Sequence, residues 1–159
     1  MPDRSEAAKS PYDSFSGEET GPAGGAIIAA CGNDCAACPR YTAHPYEKTE
    51  AELRHTAELW RRIGYRDRVV PAEEIACAGC RPENQCRYHV VKCCADRGVK
   101  TCAACGQYPC DRLRACFSVT MSFEPGCRQA CTEAEYARLT KAFFEKEQNL
   151  DALRDAGRT

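Results

Sequence analysis

A small, mainly α domain held by cross-links rather than by a large apolar core is the fold class this sequence predicts, on three observations. Leu, Ile, Val and Phe together number 21 of 159 residues, below the level of about 20% at which a core of ordinary size becomes doubtful. Fourteen residues are cysteine, and eleven of them fall between Cys31 and Cys110 in short-spaced groups. The two longest patterned segments carry the helical period, not the alternation of strands. At this length one domain is expected, with an appended element.

Residues 1–24, rich in Ser, Gly, Pro and acidic side chains, read as a disordered tail. They contain no apolar h-region, so no secretory signal is visible, and a reducing, cytoplasmic location is expected. Residues 25–116 form the cysteine-rich metal-binding domain and residues 117–159 a C-terminal helical extension. Within the first, Ala26–Ala29 make a short apolar approach to Cys31. A helix is expected over about residues 47–63, with Leu53, Ala57, Trp60 and Ile63 on one stripe and Gly64 placed to stop it. Glu50 with Arg54 and Glu58 with Arg62 have the supporting i, i+4 spacing. His89 to Asp96 suits two helical turns ending at Gly98, and Pro109 with Cys110 opens another through Leu113. The segment from Thr132 onward carries a capping box, Thr132 with Glu135, and an apolar stripe of Tyr136, Leu139, Phe143, Leu150 and Leu153. That stripe reads as packing against the small core.

The thiol spacings suit metal coordination better than disulfide pairing. Thiolates two residues apart on a tight turn can both face one ion, and in a reducing compartment clustered thiols serve metal more often than disulfides. Cys31-x3-Cys35-x2-Cys38 forms one cluster, and eight cysteines crowd from Cys77 to Cys110. In Cys77-Ala-Gly-Cys80, Gly79 supplies the positive φ that a tight knuckle often requires. Cys102-Ala-Ala-Cys105 repeats the spacing, and the two knuckles lie 21 residues apart, slightly beyond the zinc-ribbon gap. Cys86-Arg-Tyr-His89 adds an imidazole at knuckle spacing, which bears on metal identity because histidine is a common zinc ligand. Adjacent Cys93 and Cys94 diverge by about 100° on a helix, so one serves as ligand and the other is buried or free. Cys116, Cys127 and Cys131, widely spaced, read as small buried hydrophobes or free thiols. His44 and His55 read as structural, with His44 a remote candidate to complete the first cluster.

Cys31-x3-Cys35-x2-Cys38 also has the spacing with which radical S-adenosylmethionine enzymes hold three corners of an iron–sulfur cluster. Such enzymes are built on repeated strand–helix units, of which this chain offers one short apolar run, and Ala37 stands where they usually carry an aromatic residue. An iron–sulfur redox or radical-type enzyme is therefore the alternative reading. No Ser-His-Asp arrangement, P-loop or glycine-rich dinucleotide motif supports a conventional hydrolase, kinase or dehydrogenase. A net charge of −1, evenly mixed, argues against nucleic acid. No apolar run approaches the length of about 18 residues needed to span a membrane.

With Cys31-Gly-Asn-Asp-Cys35-Ala-Ala-Cys38-Pro39, Cys77-Ala-Gly-Cys80, Cys94-Ala-Asp-Arg-Gly98-Val99 and Cys102-Ala-Ala-Cys105-Gly-Gln-Tyr108-Pro109-Cys110, the chain resembles a family of short cysteine-rich microbial proteins, the domain of unknown function DUF3795, over about residues 30–115. In that family's pattern a cysteine usually stands at the position of His89 and another at Cys94. The resemblance thus implies a ligand role for both and favours zinc, without implying a reaction or substrate. The candidate donors are Cys31, Cys35, Cys38, Cys77, Cys80, Cys86, His89, Cys94, Cys102, Cys105 and Cys110, enough for two or more zinc ions at four each. Two such sites leave three donors over. The sequence-isolated trio Cys31, Cys35 and Cys38 then either keeps an open coordination position or is completed by Cys93, His44 or a ligand of the second block. Metal serving structure, with a surface for a protein or small-molecule partner, is the expected role.

Overall fold

A computed structural model describes residues 25–80 and 88–157, and these are mainly helical. The N-terminal tail and Cys86 lie outside the described residues. Helix α1 spans Glu50–Arg62. It starts later than the apolar stripe alone indicates, because Thr49 caps it: the Thr49 hydroxyl accepts the Glu52 N–H at 3.1 Å while the Glu52 carboxylate accepts the Thr49 N–H at 2.7 Å, a reciprocal capping box. Gly64, at φ +84°, ends it. Leu53, Ala57, Leu59 and Trp60 are buried. The exposed Glu50–Arg54 pair forms at 2.9 Å, but Arg62 does not turn to Glu58. It reaches 2.6 Å to Glu135, a carboxylate only 5% exposed, where a charge-assisted bond is stronger than one to a solvated partner.

Helix α2 is the short Ala72–Ile75, and α3 spans Val90–Asp96, stopped before Gly98 at φ +69° as its sequence indicates. A single 3₁₀ turn covers Cys102–Ala104. Helix α4, Asp111–Ser122, runs well past Leu113 and leads straight into α5, Glu124–Ala130. Helix α6, Glu133–Leu139, carries the expected Thr132–Glu135 box.

The C-terminal stripe does not form one continuous helix. A π turn, Thr140–Phe144, separates α6 from α7, Lys146–Ala156. The Ala142 carbonyl there accepts the N–H of Asp34 at 3.0 Å, a partner from outside the helix. A wide turn advances the following helix by about 100°. Tyr136, Leu139, Phe143 and Phe144 consequently pack with Trp60, Leu59, Ile75 and Cys127, whereas Leu150 enters a second cluster with Cys31, Val90, Cys94, Cys102, Leu113 and Cys116.

The Cys31–Asp34 loop, the first thiol turn and the 3₁₀ turn are each fastened to the C-terminal helices. Gly32 has φ +98°, and a Cβ there would lie 2.3 Å from the Lys146 carbonyl oxygen. Asn149 donates to the Gly32 carbonyl at 2.9 Å, Arg138 to that of Ala37 at 2.9 Å, and Arg154 to those of Ala103 at 2.9 Å and Cys105 at 3.1 Å. Gly32→Ala combines backbone strain with a backbone clash and is expected to cost at least about 3 kcal/mol in urea unfolding. Gly98→Ala, also at positive φ but with nothing within 4 Å of a Cβ, should cost about 1 kcal/mol. Equal costs would contradict the clamp.

Candidate metal centre

The first thiol turn is built by Asp34. Its buried carboxylate accepts the N–H groups of Ile27 at 3.1 Å and Ala36 at 3.0 Å, and the Cys38 N–H closes back onto the Cys35 carbonyl at 3.1 Å. Three residues on, the chain meets the second knuckle. Tyr41 and Cys77 form a parallel bridge in which Cys77 donates to the Arg40 carbonyl at 2.8 Å and accepts from the Thr42 N–H at 2.9 Å. Gly79, at φ +103° as its knuckle requires, lies against the Tyr41 ring. The pairing thus lays Cys77 and Cys80 beside Cys35 and Cys38.

The electrostatics report this grouping. Burial pushes the Cys35 thiol up, and the neighbouring Cys80, Cys38 and Cys77 push it further. Burial likewise raises Cys38, opposed by the Arg40 backbone N–H that its sulfur accepts and by the charges of Arg40 and Arg138. Lys48, held by the carbonyls of Tyr41 at 2.7 Å and Tyr46 at 3.2 Å, stands near the same sulfur. Three cations therefore surround Cys38.

A second group gathers around the 3₁₀ turn. Cys94 and Cys102 sulfurs lie 3.7 Å apart, both buried. Burial raises both thiols; Cys93 and Cys105 add to the effect at Cys94, and Cys94 and Cys110 at Cys102. Arg97 interacts with Cys93, Cys105 and Cys110.

Cys31, whose charge also acts on Cys35, shifts in the opposite direction. Hydrogen bonding from Cys116, with the charge of Lys146 and the Asn33 N–H, outweighs burial and lowers its thiol to about 5. Its sulfur is 3.7 Å from Lys146 Nζ, which also donates to Asn33 Oδ1. Lys146 is only 6% exposed. The sequence held one signal for it: Lys146 sits within the apolar stripe of Leu139, Phe143 and Leu150, at core spacing.

Neither His44 nor His89 hydrogen-bonds a cysteine among the described residues. His44 pairs with exposed Glu47 at 2.6 Å; His89 stands exposed at the start of α3, at φ +54°. His55 lies 3.7 Å from Glu135. Cys116 and Cys127 are buried and Cys131 half-buried, and no described cysteine is in a disulfide. Among the described residues no group of three or more His, Cys, Asp or Glu side chains is arranged to hold a metal ion, and no helix is long and apolar enough to cross a membrane.

Fold and thiols together define a small, mainly helical, cysteine-rich protein. The family model of DUF3795, a protein of unknown function, matches residues 27–115, more than half of the chain. The chain belongs to that family. No curated protein and no solved structure matches it.

Burial, reinforced by Cys131, lifts the Cys127 thiol from 9.0 to about 11. A thiol that keeps its proton longer in the folded state gives stability that is complete below pH 9 and lost as pH rises through 11. Urea unfolding between pH 8 and 11 should show this loss, and Cys127→Ala should make it shallower; an unchanged slope would refute the assignment.

Proposed function

We propose that this protein binds zinc for structure, with Cys35, Cys38, Cys77 and Cys80 as one ligand set and Cys94, Cys102, Cys105 and Cys110 as a second. The observation that carries the reading is the juxtaposition of two Cys-x2-Cys turns from segments 35 residues apart, a pairing that a purely local role for either turn does not explain. The surroundings support it. Four thiolates on a dication leave two negative charges, and Arg40, Lys48 and Arg138 are the cations near Cys38. The Arg40 N–H to the Cys38 sulfur is the kind of bond that steadies a ligating thiolate. For a Zn–S distance of about 2.3 Å, sulfurs at two corners of a tetrahedron lie about 3.8 Å apart, and Cys94 and Cys102 are separated by 3.7 Å.

Sites closed by four protein donors are inert, so the ions act by shaping a surface that engages a partner. Iron–sulfur ligation by Cys31, Cys35 and Cys38 draws less support, since Cys31 is engaged with Lys146 and Cys116 and the described residues hold only two isolated bridges in place of a strand framework.

Elemental analysis of the purified chain tests the reading. Wild type should carry two zinc ions. Cys35→Ser and Cys77→Ser should lose the same one, Cys102→Ser the other, and Cys31→Ser neither. Less than one equivalent of any metal in the wild type would sink it.

A further inference from the structure

A pocket of about 150 Å³ lies between α1, α4 and the π turn, with none of the eight proposed ligand cysteines in its walls. Trp60, Phe123, Phe143 and Phe144 are among its walls, and Tyr65, 45% exposed, stands at its rim. An apolar cavity of about 150 Å³ accommodates a benzene-sized guest. What distinguishes this one is its polar lining: Lys146 and Arg40 are among its walls, and among the described residues no carboxylate is.

Hydrogen-bond accounting shows what those side chains still offer. An ammonium has three donors, and Lys146 uses them on Cys31 Sγ and Asn33 Oδ1 alone among the described residues. Arg40 has five; its side chain donates to the Ile75 carbonyl at 2.6 Å and pairs with no carboxylate among the described residues. Trp60 is 3% exposed, and its indole N–H has no partner among the described residues. Buried donors left short of acceptors are costly. We propose that this pocket binds a small carboxylate with a ring-sized apolar body, its carboxylate on Lys146 and Arg40 and its ring among Trp60, Phe143 and Phe144.

Trp60 is the only tryptophan, so its emission reports occupancy directly. The full chain, as purified, is titrated with cyclohexanecarboxylate, which is transparent at the exciting wavelength. A saturable change in emission is expected. The neutral cyclohexanecarboxamide, matched in shape, should bind at least about tenfold more weakly, the loss of one charge-assisted contact. Lys146→Met should weaken the carboxylate by a similar factor and remove the preference for it over the amide. Val119→Phe, which fills the pocket from α4, should abolish the response while the thermal transition is kept. No saturable change in the wild type, or equal binding of acid and amide, would overturn the proposal, and both comparisons stand even if Lys146→Met fails to fold. The pocket uses none of the proposed ligand cysteines, so its failure would leave the zinc reading untouched.

Discussion

Everything in this structure depends on how closely the Cys31–Asp34 loop approaches the start of α7. Gly32 has no Cβ, so the Lys146 carbonyl can lie where one would have been, and Lys146 can then extend back to Asn33 and Cys31. Asp34 meanwhile fixes the loop from the other side and donates its own N–H into the π turn. This seam stands between two clusters that are each too small to be a domain core. One holds Trp60 and the aromatic residues of the C-terminal segment, the other Cys31, Cys94, Cys102 and Cys116. Ordinary burial is therefore divided between two small clusters.

That division explains the thiol electrostatics. A buried thiol resists ionisation when it has no compensating partner, and Cys35, Cys38, Cys94 and Cys102 all show the rise. Cys31 moves the opposite way because at its sulfur the Cys116 hydrogen bond, Lys146 and the Asn33 N–H together outweigh burial, whereas at Cys38 and Cys94 the partners present do not. A cation bound among the first four would reverse their behaviour, since a coordinating thiol is deprotonated outright. Protein-supplied charge and metal are thus alternative answers to the same problem, and the chain uses the first at Cys31.

Local features were legible in the sequence. The Thr132–Glu135 box, the helix-ending glycines at 64 and 98 and the positive φ of Gly79 each depend on a few neighbouring residues. What depended on distant partners was not legible. Arg62 chose Glu135 over Glu58 because of a burial that only the packing of α6 creates. The π turn has no signature in the apolar stripe, which runs through it unbroken in spacing. Among the cysteines, spacing alone joined Cys77 and Cys80 with Cys102 and Cys105 as a ribbon, and Cys31 with Cys35 and Cys38 as a trio. The Tyr41–Cys77 bridge brings Cys77 and Cys80 beside Cys35 and Cys38, and no count of intervening residues anticipates a bridge of that kind.

If metal stands in for the core that this composition cannot build, folding and metal binding are one equilibrium. Thermal unfolding of the chain before and after removal of metal by a strong chelator under reducing conditions, followed by circular dichroism and by amide resonances, measures that coupling directly. The account predicts a cooperative transition in the loaded protein and none in the stripped one, with cooperativity restored by added zinc. A stripped protein that kept a sharp transition and native-like amide dispersion would contradict it.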